Sequence, residues 1–600
     1  MRKQIKTILW NEKIPIFIYL LLLGKVILFH IFTNIVITQG AILTSVGLLT
    51  VLLGFSFLFQ RQGKLIFLFI VNFLVSLLLL SNVLYYSYFG SPFTVYVFQQ
   101  IQNLSGLSGS IWYLFKPAYV FFIFDLFLFL WFILKKRDKA DKNISLAWIV
   151  IAIGLLITFV KPIKVLFLDQ TKDPFRTFDS TDLVKGYGIF GHHIIDTANA
   201  IIDRNYELTE DEREELENWF ENKNNGIDSW EDTPYFSFGK GKNLIVIQVE
   251  SLQNFVINKK IYGQEITPNI NRMLEHSIYF PQMYPQTIEG NSSDAELLSQ
   301  ASIYPIDKGA TFFRFRNNEF ITLGDRLKEQ GYSTLAIHAD EATFWNRNQV
   351  YPNFGFDKFY SIEHFKLDEI IGMGLGDRSM FRQSIKWLKE QKKPFYSFFI
   401  TLTNHVPFII PENERKLRLT NDLNGTNLGH YFQSVRYTDE AIGILLNELD
   451  KHQLLEDTVI ALYGDHNGIF LKDKHEVEEK WVGQSISDEQ WVNEYMNIPF
   501  IIYHPNLKGI TETIISGQID IMPTLSHIMG LEKEAVYYTM GENLISNRRM
   551  DREVIIPSGD YNEKGMYFTD GQMKSNLDKK QWNILNISEK ILKSNYYKNK

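Results

Sequence analysis

Three short segments of this 600-residue chain carry side chains that would together make a divalent-metal site with a nucleophile beside it. Asn-Leu-Ile-Val-Ile-Gln-Val-Glu at 243–250 is an apolar, strand-like run ending on Glu250. Val-Ile-Ala-Leu-Tyr-Gly-Asp-His at 459–466 is a second, ending on Asp465 and His466. Buried strands of open α/β sheets present ligands at their carboxyl ends. Glu250, Asp465 and His466 offer two oxygens and one nitrogen, a set suited to Mn²⁺, Mg²⁺ or Zn²⁺. Between them lies Gly290-Asn291-Ser292-Ser293-Asp294-Ala295-Glu296, which reads as a helix start with a Ser cap and acids in the first turn. Such a terminus also cradles phosphate with its free N–H groups, and a serine beside a metal is activated to attack phosphorus. Ser292 and Ser293 both qualify, and spacing alone does not separate them. Taken singly, Glu250 reads as a strand-end cap and Asp465-His466 as a loop turn. Their joint occurrence at the ends of core strands points instead to hydrolysis or transfer of a phosphate or sulfate ester.

Two further segments add basic and aromatic groups. His338-Ala339-Asp340 follows a strand and leads to Trp345-Asn346-Arg347, and Thr403-Asn404-His405 follows another. Arg347 can hold phosphate oxygens through paired hydrogen bonds. His338 or His405 can bind phosphate or protonate a leaving alcohol. A lone strand-end histidine also has an ordinary structural reading. There is no cysteine, which excludes thiol catalysis and thiolate ligands.

Positioning these groups requires an α/β unit, and from 241 onward strands alternate with helices. Strands are expected at 243–250, 332–338, 395–402, 457–464, 498–503 and 553–557. Helices are expected at 267–277, 293–301, 321–330, 378–391, 431–450 and 520–530. The alternation predicts a mostly parallel sheet covered by helices. The polar, Lys/Asn-rich segment 561–600 holds short strand-like pieces and reads as loose over its last dozen residues.

The first third of the chain is different. Apolar runs near 14–34, 41–60, 65–86, 118–135 and 145–165 approach the ~20 residues that span a bilayer, so residues 1–168 read as a transmembrane domain of five helices. Asp125, inside the fourth run, is a functional residue or one that faces other helices, the second reading being favoured. Arg2, Lys3, Lys6, Arg61, Lys64 and the cluster Lys135, Lys136, Arg137, Lys139 share one side, which predicts an internal N-terminus and an exported remainder. Residues 169–240 read as a helical connector with a capped, acidic helix starting at Thr209. Within it, Ala198-Asn199-Ala200 has the small-residue pattern of a processing site. The expected domains are therefore 1–168, 169–240, 241–560 and 561–600.

As an ordered set, Ile247-Gln-Val-Glu250-Ser251, Gly290-Asn-Ser292-Ser-Asp-Ala-Glu296, His338, Phe344-Trp345-Asn346-Arg347, Asn404-His405-Val-Pro407 and Tyr463-Gly-Asp465-His466 resemble the lipoteichoic acid synthase family of the alkaline phosphatase and sulfatase superfamily. The resemblance covers nearly the whole chain. It implies an extracellular sulfatase-like α/β domain on a multi-pass membrane anchor. It also implies Mn²⁺-dependent transfer (Mg²⁺ being possible) of glycerol phosphate from phosphatidylglycerol to a glycolipid or polyglycerolphosphate chain, with no nucleic-acid partner. Glu250, Ser292, Asp465 and His466 would hold the metal, and Ser292 would form the covalent intermediate. Trp345, Arg347, His338 and His405 would surround the phosphoglycerol.

Two positions depart from the family pattern. Asn291-Ser292 replaces Lys-Thr, and Phe470 stands where Ser is frequent, features consistent with a primase-type or divergent paralogue. A formylglycine sulfatase would need a Pro and an Arg after the nucleophile, and Ser292-Ser-Asp-Ala-Glu has neither. Phosphoethanolamine transferases share the layout but commonly carry disulfides. A non-catalytic scaffold for cell-wall enzymes predicts a degraded metal set, whereas all four candidate ligands here are chemically competent.

Overall fold

The computed structural model describes residues 13–89, 91–99, 114–135, 142–168, 180–204, 206–225, 230–545, 552–557, 565–569 and 571–600. Arg2, Lys3, Lys6, Lys136, Arg137 and Lys139, which bear on orientation, lie outside them. The chain forms two compact units, one from 1–97 with 111–205 and the other from 98–110 with 206–600.

The first unit contains α1 (Lys13–Thr33), α2 (Gln39–Ser56), α3 (Arg61–Phe89), α4 (Phe124–Lys135), α5 (Ile144–Leu168) and α6 (Ser180–Asp203). Among the described residues four helices are long and apolar enough to cross a membrane: α1, α2, most of α3 and most of α5. The expected fifth, 118–135, does not form one. Pro117 starts a six-residue 3₁₀ turn, Pro117–Phe122, and the α-helix begins only after Ile123 and runs for 12 residues. Asp125, in the first turn of α4, faces other helices: it pairs with Lys25 of α1 at 2.6 Å and accepts from Asn72 of α3 at 2.6 Å. Helices α2 and α5 approach closely because Gly47, Gly54 and Gly154 lack side chains; a Cβ at Gly154 would stand 2.7 Å from the Val51 nitrogen.

α6, which contains Ala198–Ala200, belongs to the first unit, and α7 (Glu210–Asn224), with the Thr209 capping box, to the second. After α7 come β1 (Asn243–Val249), β2 (Ser277–Tyr284), α8 (Ser292–Ala301), β3 (Ser333–His338), β4 (Lys358–Tyr360), α9 (Asp377–Glu390), β5 (Phe395–Ile400) and α10 (Asn427–Lys451). β6 (Thr458–Gly464), β7 (Ile498–Tyr503), β8 (Ile510–Thr511), β9 (Ser516–Gly517) and α11 (Ile521–Ile528) follow. The sheet order is β8-β2-β7-β6-β1-β5-β3-β4, with β9 beside β2. Only β7 runs against its neighbours, so the sheet is mixed but predominantly parallel. β2 is absent from the sequence expectation.

All seven residues of the central strand β1 are buried. Ile245, Ile247 and Val249 join a core with Tyr431, Val435 and Ile442 of α10. Fully burying each such aliphatic side chain stabilises the fold by roughly 1.5–3 kcal/mol at most. The segment Glu553–Ile556 leaves the main sheet for a separate three-stranded antiparallel one.

The C-terminus also departs from expectation. Lys579–Ser594 is a helix, α12, capped by Asp578. Its Leu585, Ile591 and Leu592 are buried, Lys590 pairs with Glu215 of α7 at 2.6 Å, and Tyr596 stacks on Phe220. Apolar residues at helical spacing bury one face there despite the polar composition.

Candidate active site

Register alone sets two of the candidate ligands side by side. Val249 pairs with Gly464 in the parallel ladder of β1 and β6, so Glu250 and Asp465 leave adjacent strands at the same level. Ser251, held at φ 53, donates its N–H to Asp465 Oδ1 at 2.7 Å and its hydroxyl to Glu250 Oε1 at 2.9 Å. Thr401 Oγ1 accepts from the Glu250 N–H at 2.9 Å, and the Asn404 amide donates to the Glu250 carbonyl at 2.9 Å.

His466 Nδ1–H donates to the Asn467 carbonyl at 3.1 Å, which leaves the lone pair on Nε2. That nitrogen lies 3.4 Å from Glu250 Oε1 and 3.6 Å from Asp465 Oδ2. The ligand atoms of Glu250, Asp465 and His466 all fall within 4.8 Å of one another. Asp465 Oδ2 is buried with no hydrogen-bond donor. Burial, then the Glu250 charge, pushes the Asp465 carboxyl up to about 7. Burial pulls the His466 imidazole down, but the Asp465 and Glu250 charges outweigh it and hold it above its ordinary value. Two acids sharing a buried site with an unpartnered oxygen and a correctly turned imidazole fit a divalent cation.

The two serines differ in where their hydroxyls point. Ser292 Oγ lies 3.3 Å from Glu250 Oε2 and 3.4 Å from His466 Nε2, whereas Ser293 Oγ donates to the Gly290 carbonyl at 2.7 Å. The turn before Ser292 is tight: Asn291 sits at φ 43, and Asp294 Oδ2 accepts from the Ile288 and Gly290 N–H groups, each at 2.9 Å. A Cβ on Gly290 would overlap that carboxylate.

His338 and His405 are oriented alike. Each donates Nδ1–H to a backbone carbonyl, Ile400 at 3.0 Å and Val406 at 2.8 Å, so each neutral ring offers Nε2 as an acceptor. Burial and then Arg347 hold His338 well below its ordinary value, and burial lowers His405. Arg347 is buried, and its Nε and Nη2 donate to Glu296 at 3.0 and 2.6 Å, while Nη1 has no partner. Trp345, at φ 56, packs edge to face on Phe313 and Phe344.

Three supporting residues escaped the sequence reading. Gln248 donates to the Ser292 carbonyl at 3.1 Å and accepts from the Tyr463 hydroxyl at 2.6 Å. Gln253 Oε1 accepts from the Gly468 and Ile469 N–H groups, holding the loop after His466. Asp377 accepts from Leu402 and Thr403, holding the loop that carries His405. A buried polar residue one turn of the pleat before a site acid was the available signal for Gln248.

A predominantly parallel sheet whose strand ends carry two acids and a histidine, beside a serine at a helix start, defines a metal-dependent ester-cleaving or group-transfer enzyme of the alkaline phosphatase type. Residues 242–531 match the sulfatase family, and residues 1–206 match the lipoteichoic acid synthase N-terminal domain. The chain is 31% identical to a lipoteichoic acid synthase of Staphylococcus saprophyticus over 88% of its own length and 82% of that protein's. It is 31% identical to lipoteichoic acid synthase 1 of Bacillus subtilis over 85% and 80%. The crystal structure of the lipoteichoic acid synthase LtaP from Listeria monocytogenes superposes with a TM-score of 0.54 at 27% identity, covering 62% of this chain and 96% of that one. This chain belongs to the lipoteichoic acid synthase family and is an enzyme of the transferase class.

Proposed function

We propose that the enzyme transfers glycerol phosphate from phosphatidylglycerol to a glycolipid or a polyglycerolphosphate chain on the outer face of the cell membrane, with Ser292 as nucleophile. The observation that carries this reading is the Ser292 hydroxyl facing Glu250 and His466 while Ser293 turns away. Glu250, Asp465 and His466, with Ser292 itself, would hold the ion. One nitrogen in an oxygen-rich set suits Mn²⁺, with Mg²⁺ the alternative. When bound, the ion supplies positive charge that lowers the cost of removing the Ser292 proton.

Ser292 Oγ attacks the lipid phosphorus, and the P–O bond to diacylglycerol breaks. The hydroxyl proton passes to solvent, and the departing alkoxide takes one up. A hydroxyl of the acceptor then attacks the seryl phosphodiester, losing its own proton as the Ser292 oxygen regains one. Arg347 Nη1 offers a buried donor to a phosphoryl oxygen, while Glu296 fixes the guanidinium plane. Neutral His338 and His405, with Nε2 lone pairs, accept from the glycerol hydroxyls rather than donate protons. Trp345, beside Arg347 in the chain, walls the phosphoglycerol pocket. We assign the membrane anchor to 1–168, a connector to 169–240, the catalytic domain to 241–560 and a C-terminal segment to 561–600, with α12 packed on α7.

The test is full-length protein in membranes with Mn²⁺, fluorescent phosphatidylglycerol, and a diglucosyl-diacylglycerol acceptor present or absent. Labelled diacylglycerol with a single-unit adduct identifies a primase, and a ladder identifies a polymerase. Failure to release diacylglycerol from a protein that binds the metal overturns the proposed donor.

A further inference from the structure

Helix α6 lies across one end of the bundle formed by the first unit. Close approaches of α2 to α5 pair Gly40 with Lys161, Gly47 with Thr158 and Gly54 with Ile151, so these two helices are antiparallel. Residues 57–60 alone join α2 to α3, which returns the chain to the same end. The start of α2 and the ends of α3 and α5 therefore share one face, and α6 touches all three. The Gly186 carbonyl accepts from Lys161 Nζ at 2.7 Å, the Lys185 carbonyl accepts from the Thr38 hydroxyl, and His193 Nε2 accepts from the Asn82 amide at 3.0 Å. A Cβ on Gly188 would stand 2.6 Å from Ser45 Oγ. Ser45 lies six residues after the start of α2 and Asn82 seven before the end of α3. At about 1.5 Å per residue, α6 crosses about 10 Å inside the edge of the bundle.

Beyond Gly191 this helix is amphipathic. His192, Ile195 and Asp196 are buried, and His192 and Asp196 bond to the backbone of Phe93 and Val95 after α3. Ile194, Ala198, Ile201 and Ile202 recur at helical spacing on the opposite face, where all are exposed, each isoleucine by more than half. Two features say what covers that face. Exposed Leu156, Phe159 and Ile163 carry the apolar outer surface of α5 along to Lys161, the residue that bonds α6. Exposed Lys164 and Arg204, near the ends of α5 and α6, stand where anionic headgroups begin. A depth of about 10 Å coincides with the boundary between headgroups and acyl chains, where surface helices bury their apolar faces.

We propose that residues 191–203 of α6 form an interfacial helix whose isoleucine face is buried in the phospholipid leaflet at that end of the bundle. The chain then leaves the membrane along the headgroup plane, not as a free linker. The inference rests on reading the first unit as a membrane anchor.

The chain has no cysteine, so one introduced thiol takes a single nitroxide label. Full-length Ile194→Cys and Ile201→Cys, in liposomes containing phosphatidylglycerol, are compared with Leu156→Cys in α5 and Glu214→Cys in α7. Each of these positions is exposed, so none of the substitutions disturbs a core. Power-saturation EPR reads collisions with oxygen, which concentrates among acyl chains, and with a water-soluble nickel chelate. The expected result is oxygen accessibility above that of nickel at both isoleucine positions, at depths between those of the two references. Labels that nickel reaches as freely as at Glu214 place the face in water and overturn the proposal. Labels that neither collider reaches are covered by protein, the catalytic unit or a second copy, and overturn it equally. A Leu156 label open to nickel overturns the anchor and the proposal with it, whereas a lipid-facing Leu156 beside water-exposed α6 labels overturns the proposal alone.

Discussion

The side-chain amide of Gln248 donates to the backbone carbonyl of Ser292 at 3.1 Å. The strand that delivers Glu250 therefore also anchors the start of the helix bearing the nucleophile. Replacing Gln248 with Leu removes its bonds to the Ser292 carbonyl and the Tyr463 hydroxyl, which keeps Ser299 Oγ at 2.7 Å, at about 0.5–1.5 kcal/mol for each bond. The melting temperature should fall, and a Ser292 displacement that adds about 1.4 kcal/mol to the barrier lowers kcat tenfold. A variant that melts lower yet turns over at the native rate would show that Gln248 supports the fold alone.

Ser292→Ala should abolish diacylglycerol release while the domain stays folded. Ser293→Ala should retain most turnover, because it removes only a hydroxyl bond to Gly290, worth about 1 kcal/mol of stability. Ser292→Thr keeps a hydroxyl at the same atom and should stay active. The reverse ranking of the two alanine variants moves the nucleophile to Ser293.

The buried site carboxyls should contribute to stability in chelator with a definite dependence on pH. Burial pushes the carboxyls of Asp294 and Asp465 up to about 7, above their values in the unfolded chain. These two groups bind more protons in the folded state than in the unfolded one between roughly pH 4 and 7, so their contribution to stability falls as pH rises across that window, while His338 and His405, held below their ordinary values by burial, contribute with the opposite sign. Mn²⁺ competes with the proton at Asp465, so its affinity should rise toward pH 7 and flatten the melting curve. Melting temperatures at pH 5 and 7.5, with chelator and with Mn²⁺, check this. The comparison is with Asp465→Asn, which removes one raised carboxyl, and an Asp465→Asn chain whose melting temperature follows pH as the native chain does contradicts the assignment.

Arg347 and Glu296 are a buried pair, and removing one partner leaves the other charge uncompensated at about 3–5 kcal/mol. Arg347→Met and Glu296→Leu should each destabilise strongly, and the double substitution should recover much of the melting temperature. Turnover should not return with it, because the Nη1 donor is gone. Recovery of turnover in the double variant would assign Arg347 to packing.

The described elements show what local pattern reveals and where it stops. Apolar runs ending in acids located β1 and β6, since a strand buried on both faces has no other composition open to it. β2, Ser277–Tyr284, was missed because polar Gln282 and Pro281 interrupt the apolar run that would mark it. The run at 118–135 has enough apolar residues to span a membrane, but Pro117 and the switch from 3₁₀ to α geometry at Ile123 shorten its helix. α12 was hidden by its lysines and asparagines, whose neighbours on one face turn out to be buried against other elements.

The site divides in the same way. Residue types and their order along the chain point to Glu250, Asp465, His466 and one of Ser292 and Ser293 as a metal-and-nucleophile set, because few functions require that combination at strand and helix ends. The different directions of the Ser292 and Ser293 hydroxyls, the acceptor orientation of His338 and His405, and the locking of Arg347 by Glu296 came only with the tertiary structure. Each depends on hydrogen bonds between groups far apart in the chain or on the backbone angles of a single turn. A linear pattern carries residue identity and period, but a side chain's direction is set by whichever carbonyl or carboxylate the fold brings within about 3 Å of it.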